Sequence, residues 1–400
     1  MADCHIGAWR EPKLREMLLN AFIAAVDICI EREVDFILIS GDLFNTSLPS
    51  TDELKIVVKK FKQLKDRAIS VYVVPGSHDF SPSGKTMLDV IENAGLIVNV
   101  CKGKVEGDRL KLSFAADDKT GAKITGVLGK KGMLEKNFYK SLDLSHLEKE
   151  DGFKIFMFHS PLTELKSEDL SEMDSMPLSF LPKHFDYYAG GHIHEIIETN
   201  HEDHKNVIFP GPLFPTNFKE LEKIEQGGFF IYDNGSVEYC PIQSCSVFHI
   251  NIDCNHKHPE EVYNEMTESI QGRYFKETII TIRLEGVLES GRPFDINFRQ
   301  FYDECYKKSA ILVLKNTSAL SSKGFEEITI SSKTTEEMER VLINEHLGQI
   351  DLAGFDKEGE EKLILKLMNA LAVEKEEGET RTDFERRILT DAGKVIEAMK

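Results

Sequence analysis

The chain has 400 residues, more than one compact core ordinarily fills, so two or three domains are expected. Its 41% hydrophobic and 29% charged composition, with 27 Gly and 13 Pro, excludes a disordered or low-complexity chain. A net charge of −19 excludes a protein that grips nucleic acid by bulk electrostatics alone, because neutralising phosphates needs clustered Lys and Arg; a DNA substrate would call for bound cations or a basic partner.

Along the chain, Leu14, Leu18, Phe22, Ala25 and Cys29 recur at three- and four-residue spacing, which predicts an amphipathic helix between Glu11 and Glu33. A short apolar run, Phe36 to Ile39, follows and ends in Ser-Gly-Asp. Ser50 with Glu53 three residues on predicts a capping box opening a helix that carries Leu54, Val57, Phe61 and Leu64. Val71 to Val74 is a second apolar run and ends in Pro-Gly-Ser-His-Asp. Ile155 to Phe158 ends in His-Ser, and Tyr187 to Ala189 ends in Gly-Gly-His-Ile-His. Four buried strands thus each deliver polar residues at their carboxyl ends, the place where layered α/β proteins bind ligands, and the four tips are expected to converge on one crevice.

Past residue 245 the pattern changes. Strand-like Val247 to Ile252, a helix opened by Pro259, strand-like Thr278 to Leu284, a helix near Asn297 to Lys308, and Ile311 to Leu314 predict a smaller α/β domain over residues 246–333. Residues 334–400 are charged and helical in pattern, a segment of solvated helix faces or a partner-binding appendage. Seven cysteines without a C-x-x-C pair fit a reducing compartment. No apolar run reaches the roughly 18 residues of a membrane span, and no signal peptide is legible at the N-terminus, so a cytoplasmic protein without membrane association is expected.

The chemistry is carried by D-x-H at Asp3 and His5, GDLFN with Asp42, GSHD with His78 and Asp79, FHSP with His159, and GHIH with His192 and His194. Carboxylate oxygen with imidazole nitrogen suits manganese, zinc or iron. One aspartate shared by two ions about 3.5–4 Å apart is the arrangement that clamps attacking and leaving oxygens in an in-line phosphoryl displacement.

The five motifs in this order resemble the calcineurin-like metallophosphoesterase superfamily. GDLFN with Ser47, Pro49 and Ser50, together with FDYYAGGHIH, resembles the meiotic-recombination-eleven or SbcD type of DNA repair nuclease. The resemblance implies a layered metallophosphoesterase β-sandwich flanked by helices over residues 1–245, a smaller α/β capping domain over 246–333 and a helical partner-binding segment over 334–400. It implies two manganese ions, with zinc, iron or magnesium as other divalent candidates. Asp3, His5, Asp42 and His194 would hold one ion, and Asp42, Ser77, His159 and His192 the other. His78 would act on the phosphate, oriented by Asp79, and the nucleophile would be a metal-bound water or hydroxide. Asn45, Trp9 and Arg10 are the candidate substrate contacts. The implied activity is a manganese-dependent DNA exonuclease or endonuclease in double-strand-break repair, acting as a homodimer with an SMC-like coiled-coil ATPase of the SbcC type. The alternatives are a phosphodiesterase or phosphatase on a small or protein substrate, and a weakly active scaffold subunit.

Two departures stand out. Ser77 occupies the position where the family has Asn, and a hydroxyl reaches less far than an amide oxygen, so a weaker second site is expected. Only Met1 and Ala2 precede Asp3, where the family has a buried apolar strand, so weak anchoring of Asp3 and His5 is expected.

Overall fold

The computed structural model describes residues 1–81, 86–201, 203–224, 226–242, 245–323, 357–373 and 381–397. The chain divides into two compact units, Met1–Gly324 and Phe325–Lys400.

The first unit opens with α1 (Pro12–Glu31), β1 (Phe36–Ser40), α2 (Thr51–Lys65), β2 (Ser70–Val74), α3 (Met87–Asn93) and β3 (Val98–Asn99). The three strands make a parallel sheet in the order β1-β2-β3. The capping box at Ser50 is formed in both directions: Ser50 Oγ accepts from Glu53 N, and Glu53 accepts from Ser50 N. The pair satisfies two of the donors that the first turn of α2 would leave open.

After a hairpin of β4 (Gly103–Glu106) and β5 (Arg109–Leu112) come β6 (Ala115–Ala116), β7 (Lys123–Val127), α4 (Lys136–Ser141), α5 (Leu144–Glu148), β8 (Lys154–Phe158), β9 (Tyr187–Ala189), β10 (Ile197–His201) and β11 (His204–Phe209). These build a second sheet in the order β10-β11-β9-β8-β7-β6, parallel through its middle and antiparallel at both edges.

The strand sequences decide how the two sheets stack. In β1, Ile37 and Ile39 join the core under α1 and α2, whereas Phe36 and Leu38 face the second sheet. β2 repeats the division, with Val71 and Val73 on the helix side and Tyr72 and Val74 between the sheets. From the other side, β8 sends Ile155 and Met157 into the inter-sheet core and Phe156 and Phe158 outward under a layer that includes Tyr139, Leu147 and Leu178. These three strands are therefore apolar on both faces, which is why each reads as a continuous apolar run rather than an alternating one. A one-residue slip would exchange the two faces and bring Phe156 against residues shaped for Met157.

A short helix, α6 (Phe218–Lys223), and a hairpin of β12 (Gly228–Asp233) and β13 (Ser236–Pro241) lead to a third sheet. It consists of β14 (Ser246–Asp253), β15 (Thr278–Leu288) and β16 (Leu312–Ser322), all parallel, connected through α7 (Pro259–Ser269) and α8 (Phe298–Lys307). Ile280, Ile282 and Leu284 face a core of their own with Met266 and Phe301, while Ile279 and Leu312 pack into the main core. Both β15 and β16 run beyond the Leu284 and Leu314 expected from the apolar pattern, because their distal halves alternate buried and exposed positions and lose the continuous signal.

The second unit contains α9 (Lys357–Leu371) and α10 (Arg381–Glu397), which pack against each other. Leu371, Leu389 and Ile396 are exposed on them. The stretch 334–356 of the expected helical segment lies outside the described residues. No helix among the described residues is long and apolar enough to cross a membrane.

Candidate metal centre

The carboxyl ends of β1, β2, β8 and β9 open onto one site. β1 runs directly into Gly41 and Asp42, β2 into Gly76, Ser77, His78 and Asp79, β8 into His159, and β9 into Gly191, His192 and, two residues on, His194. Asp3 and His5 arrive from a different element. Residues 1–6 run beside β1 and its following loop: the Met1 ammonium donates to Leu38 O at 2.9 Å, Ser40 N to Met1 O at 3.0 Å, Asp3 N to Gly41 O at 3.1 Å and His5 N to Asp42 O at 2.8 Å. The expected weak anchoring of Asp3 and His5 is thus corrected. The backbone ladder begins at the first residue, and Asp3 is fully buried.

Within the site, Asp3, His5 and His194 form one group of ligating atoms and Asp42, His159 and His192 another. His5 Nε2 faces His194 Nε2 at 3.2 Å, with Asp3 Oδ1 3.5 Å from His194 Nε2. His159 Nε2 lies 3.1 Å from Asp42 Oδ2 and 3.3 Å from His192 Nδ1. Asp42 Oδ2 is also 3.7 Å from His5 Nε2, so this carboxylate stands between the two groups. Ser77 Oγ donates to the same oxygen at 3.4 Å. A third grouping, His5 with Asp42 and His78, places His78 within ligating range as well as beside the centre.

Imidazoles are turned nitrogen to nitrogen twice, each pair flanked by a buried carboxylate, and His5 Nδ1 is buried without a hydrogen bond among the described residues. Such a donor set fits two divalent cations, which suit oxygen and nitrogen ligands and favour facing lone pairs. The charges agree. Burial penalises the Asp3 and Asp42 carboxylates, yet the surrounding histidines hold both below the ordinary carboxylate value. Burial lowers His159 and His194, yet the carboxylates raise them to about 9 and about 10. Burial wins at His5 and His192, which fall to about 4. The site therefore favours positive charge at the carboxylate-facing nitrogens and neutral imidazole elsewhere.

Holding these groups together costs backbone strain. Asp3, His5, Asp42 and His192 all have positive φ, at 49°, 42°, 51° and 84°. Non-glycine residues in this region cost on the order of 1–3 kcal/mol each and cluster at functional sites. Two glycines are needed for the close approach. A Cβ on Gly41, itself at φ +88°, would fall 2.1 Å from His159 Nδ1, and one on Gly76 would fall 2.1 Å from Asp42 Oδ1.

Asp79 departs from its expected role. Its carboxylate accepts from Leu43 N at 3.2 Å, Phe44 N at 3.0 Å and Gly76 N at 3.1 Å, so it ties the loop after β1 to the loop after β2. His78 instead sets its Nδ1 2.9 Å from Asn45 O, and His78 N donates to Asp42 Oδ1 at 2.8 Å. The orienting partner of His78 is thus a backbone carbonyl, while three amide donors hold the Asp79 carboxylate in the buried turn. Burial and the Asp42 charge push Asp79 up to about 6.

Asn45 therefore touches the site through its backbone. Trp9 is half-buried against the main core and spends its indole N–H on Pro215 O at 2.8 Å, a packing contact; Arg10 is exposed. Sequence reasoning missed Glu220, whose Oε1 lies 2.8 Å from His194 Nδ1. The pattern Asn217-x-x-Glu220 signals a helix start, and Asn217 does cap α6. Nothing local says that the carboxylate turns toward a histidine of another loop.

Residues 1–195 match the calcineurin-like phosphoesterase family. The chain is 25% identical over 304 residues to the DNA double-strand break repair protein Mre11 of Archaeoglobus fulgidus, covering 71% of this chain and 67% of that protein. It is 29% identical over 289 residues to the protein of the same name from Saccharolobus solfataricus, covering 71% and 68%. It is also 26% identical over 235 residues to the uncharacterized metallophosphoesterase YhaO of Bacillus subtilis, covering 57% and 52%. With strands that end in Asp and His and a buried aspartate between two imidazole pairs, residues 1–195 are similar to the calcineurin-like phosphoesterase family, hydrolases built on a dinuclear metal centre.

Proposed function

We propose that this chain is a manganese-dependent DNA nuclease, an exonuclease or endonuclease that hydrolyses phosphodiester bonds in double-strand-break repair together with an SMC-like coiled-coil ATPase. The observation that carries the reading is the position of Asp42 between the Asp3–His5–His194 and the His159–His192 groups, joined to the similarity to the two archaeal repair proteins.

Asp3, His5, Asp42 and His194 would hold one ion, and Asp42, Ser77, His159 and His192 the other. Two such ions, when bound, supply Lewis-acid stabilisation of the attacking and leaving oxygens. The protein's own part is geometry and proton handling. Asp42 is fixed by the His78 amide, and Asp79 fixes the loop that carries Asp42. His78, held through Nδ1 by Asn45 O, keeps its other nitrogen for the phosphate or the leaving oxygen. Residues 1–245 form the nuclease domain in this reading and 246–333 the capping domain. The segment 334–400, whose described helices expose Leu371, Leu389 and Ile396, binds the ATPase. A basic partner also answers the net charge of −19, which opposes DNA binding by this chain alone.

The test is hydrolysis of linear duplex DNA and of a chromogenic phosphodiester, each with manganese and with excess EDTA. Cleavage of DNA that vanishes with chelator is expected. Cleavage of the small diester alone would move the substrate to a small phosphodiester, and full nuclease activity in EDTA would remove the mechanism altogether.

A further inference from the structure

The helix α6 lies outside the proposed ligand set and touches it at one point. His194 Nδ1 is 2.8 Å from Glu220 Oε1. A carboxylate oxygen only accepts, so Nδ1 carries a hydrogen, and in the neutral, ligating imidazole the lone pair is on Nε2. That Nε2 is the atom facing His5 Nε2 at 3.2 Å and Asp3 Oδ1 at 3.5 Å.

Glu220 is itself held in place. Oε2 accepts from Thr216 N at 2.7 Å and Thr216 Oγ1 at 2.8 Å, and Oε1 accepts a second bond from Asn217 Nδ2 at 2.6 Å. With His194 this gives the carboxylate four donors, more than a helix start needs, since the cap of α6 is already supplied by Asn217 Oδ1 to Glu220 N. The helix is gripped again from the third sheet. Arg283 of β15 donates to both oxygens of Glu222, with Nε 3.0 Å from Oε1, and its guanidinium sits over the Phe218 ring, 5.5 Å from the centroid. One end of this chain of contacts is a proposed metal ligand and the other is a strand of the sheet assigned to the capping domain.

We propose that Glu220 is a positioning residue of the metal centre, which fixes the tautomer and ring plane of His194, and that Arg283 holds α6, and Glu220 with it, from the third sheet. The proposal rests on the reading of His194 as a metal ligand. Glu220 touches neither the cation nor the substrate; it acts through His194. A carboxylate on the far nitrogen of a ligating histidine typically contributes 10- to 100-fold in metal affinity, roughly, by orienting the ring and raising its basicity.

The experiment is calorimetric titration of the full-length, metal-stripped protein with manganese alone, alongside thermal melts of the same samples. In Glu220→Ala one of two sites should weaken by roughly 10- to 100-fold while the other is unchanged. Glu220→Gln, which keeps an oxygen that accepts from Nδ1, should recover most of that loss. Arg283→Met, which keeps an apolar stem over Phe218 but not the fork to Glu222, should weaken the same site by a few-fold. A merely structural role would instead weaken both sites in proportion to a lowered melting temperature, and that outcome overturns the proposal. Two sites of unchanged affinity in Glu220→Ala also overturn it. A wild-type protein that binds no manganese sinks the metal-centre reading itself, a failure visible before any variant is made.

Discussion

The metal centre and the third sheet sit in one compact unit but are built by opposite rules. At the centre, the residues that matter lie on loops, four of them with positive φ, and buried carboxylates and imidazoles are packed against one another. In the sheet of β14, β15 and β16, regular strands bury Ile280, Ile282 and Leu284 against α7 and α8, and the stability comes from apolar area. The first region spends conformational energy to aim charged groups, and the second supplies the rigidity that makes such spending possible. Substitutions should therefore divide, those at the centre changing metal binding or turnover and those in the apolar core of the sheet changing stability, with Arg283 as a link between the two.

The largest effect is expected at His78. Its replacement by Ala should lower turnover by roughly 10²–10⁴-fold, the usual range for a lost acid or base, with two manganese ions still bound. Because His78 also lies within ligating range of His5 and Asp42, elemental analysis of the variant decides between the two roles. Loss of an ion would make it a ligand and blur the division.

In the sheet, Ile282→Ala removes a fully buried side chain and should cost about 2–5 kcal/mol of stability, read from denaturant unfolding. Manganese affinity of the folded fraction should not change. A large loss of affinity in Ile282→Ala would show that the two regions are more tightly coupled than the Arg283–Glu222 contact alone implies.

The smallest effect is expected at Ser77, whose hydroxyl lies 3.4 Å from Asp42 Oδ2. Ser77→Asn should shift the manganese dependence of the rate to lower concentration by a few-fold, with little change at saturation. Equal and tight binding of two ions by both proteins would show that the serine suffices.

Much of the centre was legible in the sequence because its signals are local. Each of the four apolar runs is a strand buried on both faces, and each ends in the polar tip that its motif named. The strand β7 escaped because Lys123, Thr125 and Gly126 interrupt its apolar run. The anchoring of Asp3 was misjudged because hydrogen bonds from residues 1–6 to the backbone of 38–43 leave no mark on side-chain pattern.

By itself, then, the sequence determined which residues carry the chemistry and which strands present them, since strand period and motif spacing act within a few residues. Only the tertiary structure decided who meets whom. His5 and His194 are 189 positions apart yet stand 3.2 Å from each other. Asp79 turned to three backbone amides rather than to its neighbour His78, and Glu220 reached His194 across 26 positions. Such pairings follow from how buried donors and acceptors must be satisfied once the sheets have stacked, a condition on the whole fold that no local pattern encodes.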